Sequence, residues 1–336
     1  MAVKNKKGYQ KMFLFIGVIT LFFVMFLVAI LFGAADTTMK DVYLAMTTNQ
    51  SSDTINIIRD IRLPREIAAV FVGAALATAG AIMQGMTRNP LADPGLLGLT
   101  AGANAVLAIT IAFFPTVNYF GIMIACFIGA LIGAVMVFSI GFATKGGLSP
   151  FRIILAGAAV SAFLYAIEQG IGIYFKVSKD ITMWTAGGLI GTTWKQLSVI
   201  LPVLIIGLII AIILSKQLTI LSLNEEVAIG LGQKVKWIKA ILFFVILMLA
   251  GTAVALVGNL AFIGLMIPHI VRAIVGTDYR FIIPMSIIIG AIFMLFADTI
   301  ARTINAPYET PMIAVVAILG LPFFLFIVRR GGVAFS

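Results

Sequence analysis

The sequence predicts an all-α polytopic membrane protein with about ten transmembrane helices. Three observations predict it. Of the 336 residues, 62% are hydrophobic and only 11% are charged, against roughly 45–50% and about 25% in soluble domains. Apolar runs long enough to cross a bilayer, about 20 residues at 1.5 Å rise each, recur along the whole chain. The runs lack the apolar–polar alternation of barrel strands, which leaves helices as the elements that satisfy backbone hydrogen bonds in lipid.

Ten spans are expected, at about 12–34, 64–85, 95–113, 120–142, 152–174, 195–214, 237–257, 260–275, 281–300 and 311–328. Lys4, Lys6, Lys7 and Lys11 precede the first, and Gly33-Ala34-Ala35 has the small side chains of a cleavage site. Residues 12–32 nonetheless exceed the roughly 7–15 apolar residues of a signal peptide, so a retained span is expected. The polar segment 35–63 is too short for a domain with its own core. Segment 175–194 mixes Gly, Thr and two tryptophans and reads as a partial helix at the membrane interface. The span 260–275 is short and contains Pro268. Small residues three or four apart (Gly73, Ala77 and Gly80; Gly129 and Gly133; Gly157 and Ser161) share helix faces. They suit close helix packing within the bundle or between subunits.

An even number of spans puts both termini on one side, and charge chooses the side. With a cytoplasmic N-terminus, 15 of the 23 Lys and Arg residues fall on inner segments and 8 on outer ones, the bias that orients membrane proteins. The expected organisation is one transmembrane domain over 1–336. It comprises a cytoplasmic tail 1–11, a bundle 12–328 and a second cytoplasmic tail 329–336, in the cell (inner or plasma) membrane. The net charge of +10 sits largely at span ends, so the partners expected are membrane lipid and protein, with no nucleic acid. The single Cys126 and single His269 exclude an intrachain disulfide and a cysteine or histidine metal cluster. No G-x-x-x-x-G-K-[ST] loop is present, so the chain does not bind ATP by that device. No catalytic constellation, metal site or cofactor is expected. An ion-coupled carrier would need several intramembrane ionisable groups. The one acid deep in a span is Glu168, either as a satisfied structural group or lining a pathway.

Three local patterns point to function. Arg59, Arg62 and Arg65 precede the second span at intervals of three, and Arg302 follows the ninth. These outer charges run against the orientation bias, so they meet lipid headgroups or steer an acidic partner. Segment 221–232 reads LSLNEEVAIGLG. Ser222 and Glu225 fit a capping box, and Leu223, Val227 and Leu231 make an apolar stripe on a short helix. With Glu225 and Glu226 on it, that helix suits a protein groove better than anionic lipid. In Asn89-Pro90-Leu91-Ala92-Asp93-Pro94-Gly95, two prolines four apart break the helix.

Residues 62–103 carry a further signal: RLPR, then GAALATAGAIMQ, then NPLADPGLLG, then GA. With these blocks the chain resembles the FecCD/BtuC-type permeases, the transmembrane subunits of ATP-driven importers of iron siderophores, haem and cobalamin. The block GNLAFIGLMIPHIVR over 258–272 extends the likeness, with Leu260 where the family favours Ile. The resemblance implies the type II importer architecture and alternating access powered by two separate ATPase subunits. It also implies an extracytoplasmic substrate-binding protein and a second permease subunit, alike or a sister. The permease itself is then not an enzyme and has no cofactor. A ferric siderophore is the expected cargo, with haem or cobalamin as the alternative. By the family pattern, Arg62 and Arg65 of RLPR and Arg302 of ADTIAR dock the binding protein. Leu223, Ala228, Leu231 and Gly232 match the family's LxxxxAxxLG loop, which seats in a cleft of the ATPase, and with Glu225 and Glu226 they form the expected coupling helix at about 222–232. Asn89 and Leu91 stand at the cytoplasmic constriction. His269 and Arg272 are read as structural or ATPase-facing.

Overall fold

The computed structural model describes residues 2–33, 37–143, 150–306 and 308–330. These residues fold as helices in chain order. They are α1 (Ala2–Leu31), α2 (Met39–Thr47), α3 (Asp53–Asn56), α4 (Leu63–Thr87), α5 (Leu99–Phe113), α6 (Tyr119–Ala143), α7 (Pro150–Tyr174) and α8 (Ser178–Thr185). There follow α9 (Trp194–Ile213), α10 (Ser215–Leu223), α11 (Glu225–Gly230), α12 (Val235–Ile246), α13 (Thr252–Val257), α14 (Ile263–Val275), α15 (Tyr279–Thr303) and α16 (Met312–Arg330). A π-helical turn, Ile57–Arg62, joins α3 to α4, and another, Leu247–Gly251, joins α12 to α13. Among the described residues, 7 helical runs are long and apolar enough to cross a membrane. With the shorter apolar helices α5, α14 and Met312–Leu325, they follow the ten predicted spans in order.

Two differences from the expected spans have local causes. Helix α1 begins at Ala2, so the basic stretch before residue 12 continues the first span as helix. The polar segment after α1 carries two capped helices. Thr38 Oγ1 accepts from Asp41 N at 3.3 Å while Asp41 Oδ2 accepts from Thr38 N at 2.9 Å, a capping box that starts α2. Ser52 Oγ accepts from Ile55 N at 3.3 Å and starts α3. Arg59 closes this cap, donating to Ala45 O and Thr48 O, the latter at 2.7 Å. The expected tail beyond 330 lies outside the described residues.

Helix α4 is the axis of the bundle. In its continuous run Asp53–Thr87, 83% of the most apolar window is buried, and the faces rich in Ala and Gly meet α15 and α14 at backbone distance. A Cβ on Gly73 would stand 2.2 Å from Gly290 O, and one on Gly80 only 1.8 Å from Gly264 O. No side chain fits there, so the small-residue pattern on α4 is spent on contacts within the chain. Gln84, buried on the same helix, donates Nε2 to Gly264 O and Leu265 O at 3.2 Å each, and its Oε1 accepts from Arg272. Arg272 is thereby part of the α4–α14 packing.

The short helices α5 and α14 both follow broken backbone that turns into the bundle. Arg88, with φ 52°, ends α4, and Gly98, with φ 74°, opens α5. Gly258 and Phe262, at φ 79° and 70°, precede α14. A Cβ on Gly264 would lie 3.2 Å from Pro94 Cδ, so the two breaks abut. Between them is a cavity of about 250 Å³ lined by Asp93, Thr100, Asn259 and Leu260 among others. Irregular backbone inside a membrane bundle is tolerated where protein buries it or it lines such a space.

Candidate functional site

The two segments singled out in the sequence sit at opposite ends of α4. Arg62 and Arg65 mark its first turn. At its last turns, a Cβ on Gly85 would touch Leu218 of α10 and Tyr279 of α15. A helix of this length separates the ends by about 36 Å.

At the arginine end the charges turn inward. Arg62, Arg65 and Arg302 are 4%, 7% and 4% exposed. A surface role had been expected for them. Their guanidiniums instead find partners inside the chain. Arg62 donates to Ile30 O at 2.6 Å and to Thr37 Oγ1 at 2.7 Å. Arg65 spends both edges of its fork. Nε and Nη2 face Asp298 at 2.9–3.1 Å, while Nη1 and Nη2 face Glu309 at 2.7 and 2.9 Å. Arg302 donates to Glu66 and, at 2.6 Å, to Ala29 O, and its Nε lies 3.3 Å from Asp298 without hydrogen-bonding geometry. Glu66 and Asp298 are fully buried. The cluster ties α1, α4 and α15 together, since removing charges from water is offset only by close, multiply bonded partners.

At the opposite end the short helix is α11, and its start differs from the expected one. Ser222 belongs to the last turn of α10, where its Oγ donates to Thr219 O at 2.7 Å. Asn224 is the N-cap, accepting from Glu226 N at 3.1 Å with extended backbone that breaks α10 from α11. The end is a Schellman motif: Gln233 N bonds Ala228 O, Gly232 N bonds Ile229 O, and Gly232 has φ 80°. Ala228 is buried and Glu225 pairs with the buried Lys239 of α12, which fixes one face. The other face is bare. Val227 and Leu231, four apart, are 46% and 65% exposed there with Glu226 beside them, and Ile229 on the flank is 62% exposed. Leu223, 68% exposed, ends α10 across the Asn224 break and so does not continue the expected stripe on the same helix.

The remaining predicted residues are spread over the bundle. Asn89 caps its own turn, Oδ1 accepting from Leu91 N at 3.0 Å, and Leu91 is 41% exposed. Glu168 is buried on α7 and hydrogen-bonds Asn104 of α5. On α7, Val160 lies near Gly98, and Glu168 stands about 12 Å further along the helix, away from the Asn89 turn. Among the described residues no group of three or more His, Cys, Asp or Glu side chains could hold a metal ion.

The profile of the FecCD transport family matches residues 21–330. The chain belongs to the FecCD transport family. FecCD proteins are permease subunits of ATP-binding-cassette importers, transport components and not enzymes, that work with ATPase partners and a binding protein. The chain is 45% identical over 299 residues to the iron(3+)-hydroxamate import system permease protein FhuB of Bacillus subtilis (strain 168), covering 89% of this chain and 78% of that one. It is 36% identical to the hemin transport system permease protein HmuU of Yersinia pestis, covering 92% and 94%. A metal-chelate type ABC transporter solved in an inward-facing conformation superposes with a TM-score of 0.83 at 26% identity, covering 94% and 98%.

Reading the sequence missed the acidic half of the arginine cluster in this FecCD permease. Signals were there: Glu66 directly follows Arg65, and Asp298 stands four residues before Arg302, the spacing of a helical ion pair. Glu309 carries no such signal, because it reaches Arg65 across 244 residues of chain. Lys239 and Ile229 at the other end were likewise found only by the fold.

Proposed function

We propose that this FecCD permease imports a ferric siderophore across the cell membrane, with α11 on the cytoplasmic side and the arginine end outside. Both termini are then cytoplasmic. The observation that carries the orientation is the exposed pair Val227 and Leu231, four apart on α11, opposite the face held by Ala228 and the Glu225–Lys239 pair, with exposed Leu223 beside them at the end of α10. A short amphipathic helix of this kind seats in a protein groove. Here the groove is that of an ATPase subunit, one for each of two permease subunits, the second alike or a sister. The relatives named for ferric hydroxamate, citrate and enterobactin support the cargo; the one named for hemin supports haem as the second reading. A binding protein docks at the outer ends of α4 and α15, around Arg62, Arg65 and Arg302. Asn89 and Leu91 gate the cytoplasmic mouth and Glu168 lines the pathway.

Work is divided accordingly. The ATPases move α11, and Lys239 passes that movement to α12 because the ion pair joins the two helices. The pathway needs few fixed ligands, since release must stay easy. The expected outcome for Leu231→Asp is loss of ATPase co-purification with no change in the permease's thermal unfolding, because the residue is exposed. Retained co-purification with coupled transport removes the assignment of α11. Proteoliposomes holding the whole complex then settle cargo: accumulation of haem but not of ferric hydroxamate selects the second reading.

A further inference from the structure

Arg65 is held from two sides of unequal permanence. Asp298, fully buried on α15, grips the inner edge of the guanidinium and fixes its direction. Glu309 grips the outer edge from the connection between α15 and α16, and its side chain is 31% exposed. Near it along the chain stand two exposed large side chains, the aliphatic Ile304 at 70% and the phenol ring of Tyr308 at 74% exposure. Among the described residues, the ion pairs here join two guanidiniums, Arg65 and Arg302, to three carboxylates, Glu66, Asp298 and Glu309. Glu309 is therefore the carboxylate that the arginines can give up while the core stays balanced. An arginine fork already oriented by one carboxylate is a ready bidentate acceptor site for a second.

We propose that Glu309 is an internal stand-in for a carboxylate of the extracytoplasmic binding protein. It occupies the outer edge of Arg65 until the partner presents an acidic side chain, which exchanges with it one for one. Ile304 and Tyr308 form the apolar rim of the same contact. This inference rests on the docking reading above and adds to it the residue that competes and the surface where exchange occurs. The exchange leaves the charge of the cluster unchanged and gives the outer edge of the Arg65 fork a new acceptor for the one it loses, while Asp298 keeps the inner edge paired. It also accounts for how a docking arginine can be 7% exposed in the undocked chain.

The test uses the full permease–ATPase complex in nanodiscs, titrated with the extracytoplasmic binding protein of the same importer. A fluorophore at Ile304→Cys reports contact at this surface, and light scattering reports binding anywhere. Glu309→Gln is expected to tighten docking by about three- to tenfold, with the gain shrinking as salt rises. In the complex without partner, the same variant is expected to raise the rate of phenylglyoxal modification at Arg65, and docking is expected to suppress it. Glu309→Asp, which keeps the charge on a shorter arm, checks that the effect is charge and not misfolding, and it should fall between the two. Binding seen by scattering with a silent fluorophore overturns both the docking reading and this inference. A responsive fluorophore with equal or weaker affinity for Glu309→Gln overturns this inference alone.

Discussion

The two ends of α4 invert each other. At the arginine end, ionised groups are inside and paired, and the surface around them is apolar at Ile304 and Tyr308. At the other end, leucine, valine and isoleucine stand bare on α11, and an ion pair, Glu225–Lys239, anchors that helix to α12. Neither end exposes what it would expose in a protein that worked alone. The difference is in what must be held still. Buried charges fix the register of α1, α4 and α15 and break if any member is lost. The α11 stripe fixes nothing in this chain, so it can be changed at little cost to the fold.

That contrast can be broken most severely at Arg302. Arg302→Met leaves Glu66 buried with no guanidinium to bond, and we expect a loss of about 3–5 kcal/mol. The drop should be read as a lower unfolding midpoint of the purified permease in detergent. The double variant Glu66→Gln with Arg302→Met should recover most of that loss; if it recovers none, the cluster is not what holds this end. A smaller effect is expected at Gly232. Its surroundings are open, so only its φ of 80° resists a side chain. Gly232→Val should destabilise the end of α11 by about 1–2 kcal/mol, weakening ATPase co-purification while global unfolding hardly moves. Retained full affinity would mean that the Schellman motif does not set the stripe.

The smallest effect concerns Asp278, the cap of α15 at the α11 end. Its carboxylate lies below the usual range, first because of the hydrogen bond from the Arg280 side chain, with further help from Arg280 N and Thr219. A depressed folded-state value means that the stabilisation is present above the unfolded value near 3.9 and lost as pH falls through the folded one. The stability difference between wild type and Asp278→Asn should therefore be present at neutral pH and fade below about pH 4. A difference that persists unchanged at low pH would show that the carboxylate's charge is irrelevant there.

The order and number of the apolar helices were legible because lipid leaves the chain few choices: each long run has to close its own backbone hydrogen bonds. The Gly73–Gly80 spacing announced a close approach, though only the fold names Gly290 and Gly264 as the partners. Helices α2 and α3 were missed although Thr38 with Asp41 and Ser52 are ordinary caps. The polarity of residues 35–63 hides these helices, because their caps rather than an apolar stripe start them. The start of α11 was misplaced for the related reason that Ser222 and Asn224 both can cap, and the extended backbone of Asn224 decided between them. The burial of the arginines was illegible in principle. A basic residue at a span end looks the same whether it faces water or a carboxylate contributed by a distant helix, and Asp298 is 233 residues from Arg65.

The approach of α4 to α14 and α15 has a bearing on motion. Where carbonyl meets α-carbon there are no rotamers to exchange, so sliding one helix past another would need the pair to separate first. Gly73, Gly80, Gly264 and Gly290 thus rivet three helices into a single stiff plate. Any tilting that opens a route for cargo has to hinge elsewhere, at the broken backbone of residues 88–98 and 258–262 or along the sparsely covered α7.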